Sequence, residues 1–129
     1  MTLKTYFEKM DGTGVLATAS SSGKVNAAIY GKPHFTDDRN VAFIMADRLT
    51  HANLQGNGSA VYLFRESGDR YVGRRLYLTR TGETDDPKLI EEIRSRPRHG
   101  TRQDDPHQKR YLVYFHVDRV LPLIGDGAE

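Results

Sequence analysis

Five short runs of this 129-residue chain are apolar at consecutive positions: Val15, Leu16 and Ala17; Ala27, Ala28 and Ile29; residues 41–45; residues 60–64; and residues 112–115. Side chains alternate between the two faces of a strand, so a sheet with one wet face shows alternating apolar and polar residues. Runs that are apolar throughout need cover on both faces. Inner faces can fill a barrel. The helices expected in this chain are too small to cover all the outer faces, and a second copy of the chain, a homodimer, is the expected lid.

Turn signals divide the chain into about six short strands. Residues 15–19 and 25–30 form a hairpin around Ser20, Ser21, Ser22 and Gly23, and Lys32, Pro33 and His34 break or kink the pairing that follows. Residues 37–40 turn into the strand 41–45, residues 60–64 and 76–80 add two more, and residues 111–117 lead to a last edge over 120–124. Thr2 can cap a first helix whose Leu3, Tyr6, Phe7 and Met10 share a face. Asp86 and Pro87 open another, with Leu89, Ile90 and Ile93 as its stripe and Pro97 as its stop. Gly12, Thr13 and Gly14 read as a turn, because no helix follows them as a dinucleotide loop requires. This pattern gives a single antiparallel barrel or sandwich domain over residues 1–129, mainly β, with two or three short helices.

Composition removes several function classes. With no cysteine there is no disulfide, thiolate zinc site or thiol nucleophile. A net charge of +2 gives no field suited to general nucleic-acid binding. No apolar stretch reaches the ~18 residues of a membrane span, and a cytoplasmic location is expected. His34, His51 and His116 lack metal-ligand spacing, so no metal is expected. The acid pairs at 37–38, 85–86 and 104–105 stand in turns or before prolines, where capping and turn chemistry account for them. Tyr111, Tyr114 and Phe115 read as core aromatics. Residues 94–110 are polar and basic without periodicity, and are expected to form a mobile flap or connector.

The window 41–64 carries the clearest chemistry. An apolar strand runs into a polar turn at Ala46, Asp47 and Arg48, a short helix opens near Thr50, and Gly56, Asn57 and Gly58 stop it before the next strand. A helix start presents unpaired N–H groups and the positive end of its dipole, which suits a phosphate. Arg48 and the Thr50 hydroxyl lie beside it in sequence, and a neutral His51 ring could donate as well. Simple capping by Asp47 or Thr50 is the competing reading.

The run GVLATA, the turn ending at Gly23 and Lys24, VNAAIY, and VAFIM followed by ADRLTHANLQGNGSAVYLF together resemble the FMN-binding split barrels, the superfamily of the pyridoxamine 5′-phosphate oxidases and small bacterial FMN-binding proteins. The Asn53-Leu54 pair matches that family's helix, while Gly58 stands where its proline would be. The resemblance implies a six-stranded antiparallel split barrel, homodimeric, with FMN at the dimer interface. By the same resemblance the phosphate falls to Arg48, Leu49, Thr50 and His51, with Asn53 in the same helix, and the ring lies along Asn26, Ala27, Ala28 and Ile29. A lysine common in the phosphate turn of relatives is absent at Leu49 and Thr50, which leaves Arg48, or Arg74, Arg75 or Lys32, to supply charge. The oxidase's C-terminal substrate segment is also absent, so vitamin B6 synthesis is not implied. The expected activity is an FMN-dependent oxidoreductase of a small molecule with no nameable catalytic side chain, since the cofactor carries the electrons. The alternative is a binding module without turnover that holds FMN, a deazaflavin or haem.

Overall fold

The computed structural model describes residues 1–95 and 109–127. Its elements run α1 (Leu3–Lys9), β1 (Gly12–Ala19), β2 (Val25–Tyr30), β3 (His34–Phe35), β4 (Asn40–Ala46), α2 (Leu49–Gly56), β5 (Ser59–Glu66), β6 (Gly73–Thr84), α3 (Pro87–Arg94) and β7 (Arg110–Pro122). The strands form one antiparallel sheet in the order β2-β1-β5-β6-β7-β4-β3. The sheet is curled, because Tyr30 near one edge packs edge-on against Phe43 of β4, 5.9 to 6.0 Å being the ring spacing from Phe43 to both Phe115 and Tyr30. This is an open split barrel.

Seven strands replace the expected six. His34–Phe35 pairs with Val41 and Ala42 where a break was expected, and the Asn40 carbonyl closes that hairpin by accepting from the Thr36 N–H at 2.9 Å. The final edge over 120–124 is not a separate strand. β7 runs into it as far as Pro122, and a bulge that leaves Asp118 unpaired absorbs the irregularity. Gly12 and Gly14 belong to β1 rather than to a turn. A Cβ at Gly14 would lie 1.9 Å from the Tyr62 hydroxyl, which donates to the Gly31 carbonyl at 3.0 Å. Glycine is required there by an aromatic crossing the strand. The flap expected over residues 94–110 lies almost wholly outside the described residues.

Barrel interior and outer face are filled separately. Leu16, Phe43, Tyr62, Phe64, Leu76 and Phe115 are buried inside, with Tyr6 and Phe7 of α1 closing one end. On the outside, Ile90 and Ile93 of α3 cover Ala42, Ile44 and Leu112, which explains why residues 41–45 are buried at every position. Part of the predicted lid therefore comes from within the chain. The outer face of β1, β2 and β5 has no such cover: Val25 is 84% and Ile29 72% exposed, and Leu63 is exposed as well. Among the described residues no helix is long and apolar enough to cross a membrane.

Candidate functional site

Helix α2 follows β4 through a tight turn in which the Arg48 N–H donates to the Ala46 carbonyl at 2.9 Å. Arg48 is the N-cap residue, in extended conformation, and its side chain makes no capping bond. The first helical bond is Ala52 N–H to Arg48 carbonyl at 2.9 Å. The N–H groups of Leu49, Thr50 and His51 thus have no acceptor within the helix. Capping by Asp47 or Thr50, the competing reading, is not what the helix uses.

The buried face of α2 is unusual in composition. It consists of Thr50, His51, Asn53 and Leu54, three polar residues and one apolar. Buried polar groups need partners, and each of these finds one on a different strand. The Thr50 hydroxyl accepts from the Asn26 amide on β2 at 3.4 Å, and the Asn53 amide donates to the Thr18 hydroxyl on β1 at 3.1 Å. His51 donates from Nε2 to Glu83 of β6 at 3.0 Å, places Nδ1 3.6 Å from Asp47, and stacks on Tyr111 of β7 with ring centroids 3.9 Å apart. Glu83 also accepts from Gln55 at 3.0 Å and from Arg80 at 2.9 Å. Burial would raise the Glu83 pKa, but the hydrogen bonds from Gln55, His51 and Arg80 outweigh it and bring the carboxyl down to about 2.

The structure brings Asn26 and Thr50 together and sets Arg48 and Leu49, both exposed, at the start of the same helix. The pleat of β2 divides the remaining positions. Asn26 and Ala28 are half-buried, whereas Ala27 and Ile29 face outward with Val25. β2 is an edge strand, so one side of its backbone is not paired within the sheet. On the outward face a groove of about 330 Å³ is lined by Ala17, Ala19, Val25, Val61 and Tyr77, with Asn57, Ser59 and Asp118 among its polar residues. The His51 ring turns its Nε2 to the Glu83 carboxylate. Lys32 donates to the Met10 carbonyl at 3.0 Å, Arg74 lies 4.0 Å over the Tyr6 ring, and Arg75 donates to the Pro122 carbonyl at 2.9 Å.

Thr18, Glu83 and Arg80 were not among the residues expected near the helix. Their only sequence signal is indirect: a helix reading LTHANLQG is too polar to pack on a barrel through apolar contacts alone. Asp37 and Asp86 behave as their turns predict, accepting from Arg39 N–H at 2.8 Å and Lys88 N–H at 3.0 Å. Asp104 and Asp105 lie outside the described residues. Among the described residues no three His, Asp or Glu side chains converge as a metal site would require.

No family model matches the sequence, and no curated protein aligns with it significantly. Solved structures do match. An FMN-binding protein from Syntrophomonas wolfei superposes with a TM-score of 0.74 at 19% identity, over 92% of this chain and 82% of that one. HupZ from Group A Streptococcus gives 0.70 at 19% identity, over 98% and 96%. An F420 reductase gives 0.71 at 13% identity, over 89% and 93%. The fold is therefore the split barrel that the chain shares with these proteins and with a pyridoxamine 5′-phosphate oxidase-related, FMN-binding protein from Nostoc punctiforme.

Proposed function

We propose that this chain is an FMN-binding protein that acts in the cytoplasm as a homodimer and oxidises or reduces a small molecule. The observation that carries this reading is the start of α2, where three N–H groups without helical acceptors, an exposed arginine and the Asn26–Thr50 pair converge beside an edge strand. Such a donor set suits a phosphate monoester. Arg48 supplies the charge, the backbone N–H groups of Leu49, Thr50 and His51 and the Thr50 hydroxyl supply the hydrogen bonds, and the His51 ring and Asn53 hold the helix. The chain's residues also suit a flat ring: Ala27 and Ala28 let it approach the β2 backbone, whose unpaired edge offers donors and acceptors to the polar rim. FMN, when bound, supplies the electron transfer; the protein supplies placement and an apolar wall.

The exposed outer face of β1, β2 and β5 supports the dimer. α3 covers β4 and β7, and a second copy across the bare face would bury Val25, Ile29 and Leu63. A deazaflavin at the same place is the second reading, favoured by the likeness to the F420 reductase. A haem ligand at His51 Nε2 would have to replace the Glu83 carboxylate, which disfavours haem. The visible spectrum of freshly purified protein, with light scattering on the same sample, tests the proposal. It predicts paired flavin bands and twice the 14.6 kDa chain mass. A Soret band, or a monomer that keeps its flavin, contradicts it.

A further inference from the structure

The second irregularity in the β6 to β7 pairing falls between Arg80 and Gly82 and leaves Thr81 without a partner. Side chains two apart share a face of a regular strand, so residues 80 and 83 would point to opposite faces. The extra residue shifts the phase. Arg80 and Glu83 consequently meet at 2.9 Å, and the Glu83 carboxylate, with its side chain 19% exposed, is turned toward α2. There it takes one hydrogen bond from His51 in the first turn of the helix and one from Gln55 in the second. His51 is further fixed by the Tyr111 ring stacked on it.

We propose that Glu83 is a positioning residue, held by the bulge at Thr81, that clamps α2 through His51 and Gln55 and so fixes where the N–H groups of its first turn point. This rests on the phosphate reading of that turn and assigns the geometry on which it depends. α2 buries only one apolar side chain, Leu54, and has no side-chain cap, so propensity and apolar packing do little to hold an eight-residue helix in register. Its orientation depends on directional bonds. Glu83 makes two of these bonds to α2, while Thr18 and Asn26 have one each. An anion held by several converging N–H groups loses affinity when those groups are displaced by a fraction of a bond length, whereas a ligand without phosphate does not register the change.

The test combines amide hydrogen exchange of the protein without added flavin with titrations of FMN and riboflavin. In Glu83→Gln the amides of residues 53–56 should exchange at least about tenfold faster while those of α3 and the barrel strands keep their wild-type rates. FMN affinity should fall about tenfold, with riboflavin affinity unchanged. Gln55→Ala removes one arm of the clamp and should reproduce the pattern at smaller size if Glu83→Gln folds poorly. Ile93→Ala serves as a control for general destabilisation, and should speed exchange in α3 but leave the FMN to riboflavin ratio as in wild type. Uniformly faster exchange across the sheet, or a loosened α2 with an unchanged ratio, overturns the proposal. A wild-type protein that does not prefer FMN refutes the phosphate site instead, while the exchange pattern still shows whether Glu83 holds the helix.

Discussion

Helices α2 and α3 have the same length, eight residues, and pack on the same barrel by opposite means. α3 has a built start and an apolar underside: Asp86 caps it, Pro87 occupies its first turn, and Ile90 and Ile93 seal the outer face of β4 and β7. α2 has no side-chain cap and buries Thr50, His51 and Asn53 against polar partners on three strands and the Tyr111 ring on a fourth. Apolar burial is non-directional and tolerates small slides, while hydrogen bonds fix position and angle. α3 is built as a cover. α2 leaves the N–H groups of its first turn without helical acceptors, which is the property that the proposed anion site needs.

The sharpest way to break this contrast is to truncate each helix's anchor. Ile93→Ala should cost about 2–4 kcal/mol of unfolding free energy, the usual loss for a buried isoleucine, with flavin affinity per folded molecule unchanged. Denaturant melts with and without FMN check both halves. The second test uses pH. Because Glu83 is held at about 2 against an ordinary value of 4.5, its contribution is fully present above pH 4.5 and is lost as the pH falls toward 2. The loss should reach about 3 kcal/mol at most. In Glu83→Gln that part of the acid limb should vanish, which melts taken between pH 5 and about 2 will show. The smallest effect concerns the start of α3: Asp86→Ala removes the cap that α2 lacks and should cost about 1 kcal/mol, without any change in ligand binding.

The contrast was only half legible in the sequence. α3 could be read directly, since Asp86, Pro87, Ile90 and Ile93 follow capping and periodicity rules that act within one helix. The strand 41–45 and the start of α2 were legible from a local apolar run and the polar turn that follows it. The partners of α2 were not, because they are set by register between distant strands. Glu83 is the clearest case: alternation along β6 gives it the wrong face, and only the unpaired Thr81 turns it inward. Gly14 failed similarly, reading as a turn residue because Tyr62, whose hydroxyl needs the space, lies 48 residues further along the chain. The ring was expected along 26–29, and the pleat gives that run two faces, with Asn26 toward Thr50 and Ala27 and Ile29 outward.

The claim that α2 starts an anion site is tested most directly by titrating FMN and riboflavin, followed by flavin fluorescence, into the wild-type protein and Arg48→Ala. One charge-assisted contact to phosphate is worth roughly 1.5–3 kcal/mol, or about one to two decades in affinity. The account predicts that wild-type protein prefers FMN, that Arg48→Ala loses that much affinity for FMN, and that riboflavin binds both proteins alike. Equal losses for the two ligands, or no loss for either, would contradict it.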